Sequence, residues 1–350
     1  MSNNKTSAIN AMTGLAIGDA MSWPAMFHRS FLLPKWTRRI RREIDAEAEI
    51  YDTIILPMPF SLNQPPERFN FSPTDDTEWA AFSAEVIIRS SSGSYENEII
   101  ESWNRLAKSE TIIRGAVSTQ AALRNIRKGI MPPQSGRENP HYFDDSAMPR
   151  AVPIGIVCAG QPDKAAEMAL MDASVTNSED GIWAAQAIAV SISLLCAGKT
   201  IDEAISYSMK YLPEGSWSRR VIDEAFLLAE RSGSIFSILP ELNSKIVNRE
   251  YSYGNAAPET LALTFLIAKQ CGDDLERALT TALAFPKCSD TLPAMIGAIT
   301  GAMMTAPVKL NSWLESVRFL NGICIPVLAG KDYLLLAGEL SNISLKDNVL

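Results

Sequence analysis

The sequence predicts an all-α protein. Eleven segments carry the apolar spacing of one helix face, strand-like alternation is scarce, and no shift in composition divides the chain. Helical segments that follow one another without strands between them argue against a βαβ sheet. The even composition favours a single domain over residues 1–350.

In chain order the helical segments are 6–22, 76–90, 96–108, 116–128, 163–172, 181–197, 201–210, 218–232, 258–271, 274–285 and 291–305. The first carries Gly14 and Gly18 one turn apart, and the last carries Gly297 and Gly301. Glycine costs helix stability relative to alanine. A pair on one face therefore points to close backbone approach, and these two helices are expected to pack tightly near the molecular centre. Residues 51–73 hold Pro57, Pro59, Pro65, Pro66 and Pro73, which predicts a surface loop feeding the next helix. A second loop is expected over 129–153, with Pro132, Pro133, Gly136 and the pair Asp144-Asp145. Loops of this length in a compact domain are often functional.

The chain has 350 residues, of which 47% are hydrophobic and 21% charged, enough for a sizeable core and against wholesale disorder. Its formal net charge of -8 argues against a nucleic-acid partner, since neutralising phosphates needs clustered Lys and Arg. One basic cluster, Arg38-Arg39-Ile40-Arg41-Arg42, is followed at once by Glu43, Asp45, Glu47 and Glu49, the pattern of a solvated helix with opposite charges one turn apart. Cys158, Cys196, Cys271, Cys288 and Cys324 show no Cys-x-x-Cys spacing, which fits a reducing cytoplasm better than a disulfide framework. The N-terminus shows no secretory signal pattern. No apolar run reaches the ~18 residues of a membrane span.

Two helix starts pair carboxylates with hydroxyls. In Ser72-Pro73-Thr74-Asp75-Asp76-Thr77-Glu78 a proline ends the loop and two adjacent acids open a helix. Such a set of hard oxygens suits Mg²⁺, Mn²⁺ or Ca²⁺. It also suits helix capping, because Asp75-x-x-Glu78 has the spacing of a capping box and acids complement the helix dipole. Cys288-Ser289-Asp290-Thr291-Leu292-Pro293 repeats the pattern before the second glycine-bearing helix. Two such starts, far apart in sequence, could converge on one ion. Asn255, in Tyr253-Gly254-Asn255-Ala256-Ala257-Pro258, reads either as a ligand contact or as a cap for the helix after it. Trp23, Trp79, Trp103 and Trp183 read as core or cleft wall.

These residues, in this order, resemble the ADP-ribosylglycohydrolase superfamily. The resemblance spans roughly residues 8–305. Gly14-Leu15-Ala16-Ile17-Gly18-Asp19-Ala20-Met21 looks like the family's opening helix, and Thr74-Asp75-Asp76-Thr77 matches its Thr-Asp-Asp-Thr motif without change. Met148-Pro149-Arg150-Ala151-Val152-Pro153-Ile154-Gly155 is similar to its Met-Arg-x-x-Pro motif with one residue inserted. Ser174-Val175-Thr176-Asn177 occupies the place of its hydroxyl-His segment. Lys287 to Thr291 followed by Gly297-Ala298-Ile299-Thr300-Gly301-Ala302 looks like its closing pattern. The resemblance implies an orthogonal multi-helix bundle with one or two Mg²⁺ or Mn²⁺ ions. It further implies hydrolysis of a ribosyl glycosidic bond by water attacking the anomeric carbon, through an oxocarbenium-like transition state. By the same resemblance Thr74, Asp75, Asp76, Asp290 and Thr291 are metal ligands, and Asp75 and Asp76 also belong to the catalytic set.

The sequence departs from the family's pattern at four positions. Cys288 stands where the closing motif has its first acid, and a neutral thiol is a poor ligand for a hard cation. Met26 stands where a glutamate is common, Arg114 where an aspartate precedes the middle motif, and Asn177 where a histidine is usual. The nearby groups expected to replace them are Glu78, Asp144, Asp145 and His28. Glu78 and Asp145 are expected in catalysis, and Asp144, Arg150, Asn177 and His28 in substrate binding. The bland readings are a capping acid for Glu78, a solvated turn for Asp144-Asp145 and a satisfied histidine for His28. The expected ligand is a small-molecule or protein-linked riboside, N- or O-linked. The rival expectation is a binding module that holds a ribosylated ligand or protein partner without turnover.

Overall fold

The structure is a computed structural model that describes residues 3–22, 71–91, 93–251, 253–285 and 287–343. Within them sixteen α-helices form the fold, and the only strand-like pairings are two isolated β-bridges. The helices are α1 (Asn3–Met21), α2 (Asp75–Ser90), α3 (Tyr95–Ala107), α4 (Val117–Arg127), α5 (Gln134–Arg137) and α6 (Met148–Val157). Next come α7 (Pro162–Ala173), α8 (Asp180–Cys196), α9 (Ile201–Ser208), α10 (Trp217–Glu230) and α11 (Leu239–Lys245). The last five are α12 (Ala257–Cys271), α13 (Leu275–Ala282), α14 (Leu292–Met303), α15 (Asn311–Val317) and α16 (Tyr333–Leu340). None is long and apolar enough to cross a membrane. The Arg38 to Arg42 cluster, Trp23, Met26, His28 and most of the proline-rich segment lie outside the described residues.

The centre is built on α1 and α14. A Cβ at Gly14 would run into the Gly297 carbonyl, and one at Gly18 into the Pro293 carbonyl. The two backbones therefore touch, as the paired glycines predict. Asn10 fastens the far end of this pair. Its amide donates to the carbonyls of Met304 (3.3 Å) and Ala306 (2.9 Å), and its oxygen accepts from the Val308 backbone N–H (3.2 Å). Around this pair, α2, α6, α8 and α12 contribute fully buried Ile87, Ile154, Ile188 and Phe265 to one core.

The second predicted loop is partly wrong. Residues 148–157 form α6, and a single turn of helix occupies 134–137. Pro149 and Pro153 lie inside this helix. Pro149 sits in the first turn, where a backbone N–H is not needed, and burial of every α6 residue carries the helix past Pro153. Helices α11, α15 and α16 were not foreseen. Local capping explains four of the helix starts that were. Ser94, Thr200, Ser216 and Asp274 each accept a backbone N–H at N3.

Candidate metal centre

Helices α2 and α14 lack this device. Thr74 and Thr291 precede them, and neither side chain caps its helix. The donors at the start of α2 are met instead from α1. Asp19 accepts the backbone N–H of Thr74 (2.7 Å), the backbone N–H of Thr77 (3.1 Å) and both hydroxyls, that of Thr77 at 2.6 Å. A carboxylate on the last turn of its own helix opposes the dipole there. Across the gap it meets the positive N-terminus of α2, which reverses the sign.

This contact brings three carboxylates together. Asp19, Asp75 and Asp76 each offer an oxygen, and these oxygens lie within 4.8 Å of one another. All three residues are at least nine-tenths buried. Asp75, Asp76, Asp290 and Thr291 line one cleft of about 90 Å³. That is room for an ion with a few waters, given roughly 30 Å³ per water. Ser22, just after α1, holds the second wall by donating to the Asp290 carbonyl (2.7 Å). Carboxylate and hydroxyl oxygens are the donors that Mg²⁺ and Mn²⁺ prefer, so the residues present fit such an ion. Cys288 does not line the cleft. It is fully buried, and burial with Glu259 alongside pushes its thiol well above the ordinary range.

Asp144 and Asp145 form the opposite wall. An isolated bridge pairs Asp144 with Ala256, and the Asp145 N–H donates to the Asn255 carbonyl (3.3 Å). Asp144 sits at the N-terminus of α4. It accepts the Ser118 hydroxyl (2.7 Å) and backbone N–H (3.3 Å), the Ser146 N–H (3.2 Å) and the Asn177 amide (3.1 Å). Asp145 accepts the Thr260 hydroxyl (2.7 Å). Burial raises its carboxyl to about 8, the Thr260 bond opposes this, and Asp144, Asp290 and Glu259 add to it. Tyr253, an exposed residue, stands at the mouth and packs edge-on against His141. Two buried groups lining the cleft find no partner among the described residues: the Trp79 indole N–H and the Asn255 amide oxygen.

Several predicted site residues do not reach this cleft. Glu78 is fully buried and accepts the backbone N–H groups of Ile323 (2.8 Å), Cys324 (2.7 Å) and Ile325 (2.9 Å). Burial nevertheless raises its carboxyl above the usual range, with these bonds opposing. It anchors the C-terminal segment rather than closing a capping box, and it does not line the cleft. Arg150 is fully buried too. It pairs with Asp172 (2.6 Å), donates to Thr176 (2.8 Å) and lies over the Trp103 ring. Against the substrate-binding expectation, Arg150 is sealed in the core and does not line the cleft. Asn177 is likewise sealed, and acts by holding the carbonyls of Tyr142 (3.0 Å) and Asp144 (2.9 Å) along with the Asp144 carboxyl. Arg114 turns to the C-terminal segment, donating to the Ile323 carbonyl (3.1 Å). Asn255 does not cap α12; Glu259 accepts the Ala256 N–H (2.7 Å) in that role.

Asp19 is the residue that sequence reasoning passed over. It stood inside the opening motif, but a lone acid has no spacing signal. The readable clue was its place as the sole acid of α1, at the end where the dipole disfavours it.

Comparison with known proteins follows the same lines. The model of a protein family described as ADP-ribosylglycohydrolase matches residues 2–342. A solved structure titled "ADP-ribosylglycohydrolase-related protein complex" superposes with a TM-score of 0.63 at 18% identity, covering 98% of this chain and 100% of that one. At that identity the likeness establishes the fold alone. No curated protein matches the chain.

Proposed function

Because the chain belongs to the ADP-ribosylglycohydrolase family, we propose that it is a metal-dependent hydrolase of a ribosyl glycosidic bond. One observation carries this reading. Asp19, Asp75 and Asp76 present oxygens within 4.8 Å of one another, beside a cleft that Asp290 and Thr291 also line. Carboxylates this close repel, and a divalent cation offsets the repulsion. Thr74, Asp75, Asp76, Asp290 and Thr291 are the proposed holders, with Asp19 steadying the first wall. A bound Mg²⁺ or Mn²⁺ supplies positive charge to oxygen groups of the substrate and of the attacking water.

The chain's own part is acid–base work. Asp145, raised to about 8 by burial, keeps a proton at neutral pH and delivers it to the departing group. Asp144 is fixed by four hydrogen bonds and serves as the oriented acceptor for a substrate hydroxyl or the incoming water. Adjacent carboxyl groups in different surroundings are the usual way to divide acid and base roles. The ligand is a small-molecule or protein-linked riboside, with the glycosidic bond at the acidic wall and the remainder over the rim near Tyr253.

Turnover of a panel of N- and O-linked ADP-ribosides and nucleosides tests the reading. We expect cleavage with Mg²⁺ or Mn²⁺, loss of it in EDTA, and none in Asp75→Ala or Asp290→Ala. Cleavage that persists in EDTA would sink the proposal. The buried thiol at Cys288 favours one rival, a binding module without turnover, and multiple turnovers on any riboside eliminate it.

A further inference from the structure

Asn255 carries an acceptor that the proposed chemistry leaves unused. The side chain is 2% exposed, lines the cleft, and its Oδ1 has no partner among the described residues. A buried carbonyl oxygen left unpaired loses its hydration with nothing in return, so it calls for an occupant. Its orientation is fixed from both sides. The Asn255 backbone carbonyl accepts the Asp145 N–H (3.3 Å), and its amide nitrogen donates to the Cys288 carbonyl (3.4 Å). Turning the amide over would set two carbonyl oxygens against each other.

The surroundings decide what the oxygen meets. Through Cys288 it is tied to the turn that delivers Asp290 and Thr291 two and three residues later, and both line the same cleft. Those neighbours offer a carboxylate and a hydroxyl, and none of the cleft's lining side chains is a Lys, Arg or His. A neutral amide oxygen beside acidic and hydroxyl oxygens is a common ligand set for a hard cation. Position 288, where the resembling family has an acid, holds a buried thiol unsuited to such an ion.

We infer that Asn255 Oδ1 is a cation ligand, joining Asp290 and Thr291 to hold a second divalent ion in place of the acid missing at position 288. The inference rests on the metal-centre reading above and extends it to a donor from a different helix start. The second ion shares the cleft with the first, which Asp75 and Asp76 hold.

Mn²⁺ titration of the full-length chain, read by calorimetry and by the electron paramagnetic resonance of free Mn²⁺, tests this without any substrate. The wild type is expected to bind two ions per chain. Asn255→Leu and Asn255→Ala are expected to bind one, with the first affinity kept, and Asn255→Asp to bind two. Circular dichroism and Tm identify the variants that fold, and either truncation suffices. Two ions at unchanged affinity in a folded truncation variant would overturn the inference, as would one ion in the wild type. Unchanged metal binding with weakened ADP-ribose binding would move Asn255 to substrate recognition and overturn it equally. An Asp75→Asn variant separates the two levels. If it binds Mn²⁺ as the wild type does, the metal reading itself fails; if it loses the first ion while Asn255 variants change nothing, only the present inference fails.

Discussion

Asp19 shows how a single carboxylate organises the centre. It opposes the dipole of its own helix and satisfies the open N-terminus of the next, with Thr74 and Thr77 as its partners. Asp19→Asn would keep the shape and put an amide NH₂ against those donors. Its expected effect is a 10- to 100-fold weaker Mn²⁺ affinity, the range for groups that orient ligands, checked by calorimetry. Asp75, Asp76 and Asp290 were legible in the sequence because acids crowd with hydroxyls there. The burial of Arg150 and Asn177 was not legible, because their partners, Asp172 and Asp144, are distant in sequence and nothing local announces them. Arg150→Leu strands a buried Asp172, and unfolding measurements should show a loss of about 3–5 kcal/mol. Asn177→Ala should lower kcat more than it changes KM, because it frees Asp144 without touching the ligand. An equal fall in both, or none, would detach Asn177 from that role.

At the scale of elements, periodicity located eleven helices and the glycine pairs located their centre. A methyl group at Gly14 meets the Gly297 carbonyl, so Gly14→Ala must push α1 and α14 apart. The expected cost is about 1–3 kcal/mol, read from denaturant unfolding. An exposed helical glycine would gain from the same change, since alanine is the better helix former. Helix α6 escaped the sequence because its ten residues are all buried, so no polar face gives it a helical period. Helix α2 was located, but its start was open to two readings. Capping and metal binding call for the same residue types, and only the direction of the Thr74 and Glu78 side chains separates them.

The cleft as a whole draws on five stretches of chain: the start of α2, the start of α4, the turn before α6, the turn before α12 and the start of α14. Two of these were paired on the sequence alone, and the turn before α6 was named as a source of replacement groups. Convergence of all five depends on packing that no local pattern encodes. The segment after α15 takes part as well, because Ile323, Cys324 and Ile325 close over α2 through Glu78. Glu78→Gln offers one acceptor oxygen where two serve three N–H groups. Thermal unfolding should therefore show a loss of about 1–3 kcal/mol with Mn²⁺ stoichiometry unchanged. A direct loss of turnover in a fully folded Glu78→Gln protein would restore the catalytic reading of that residue.

The central claim is that this cleft is a divalent-metal site. Anomalous scattering from a crystal of the full chain soaked in Mn²⁺ tests it most directly. The account predicts a peak in the cleft within about 2.0–2.3 Å of oxygens from Asp75 and Asp76, the range for small hard cations. A fully soaked crystal with no peak in the cleft would contradict it.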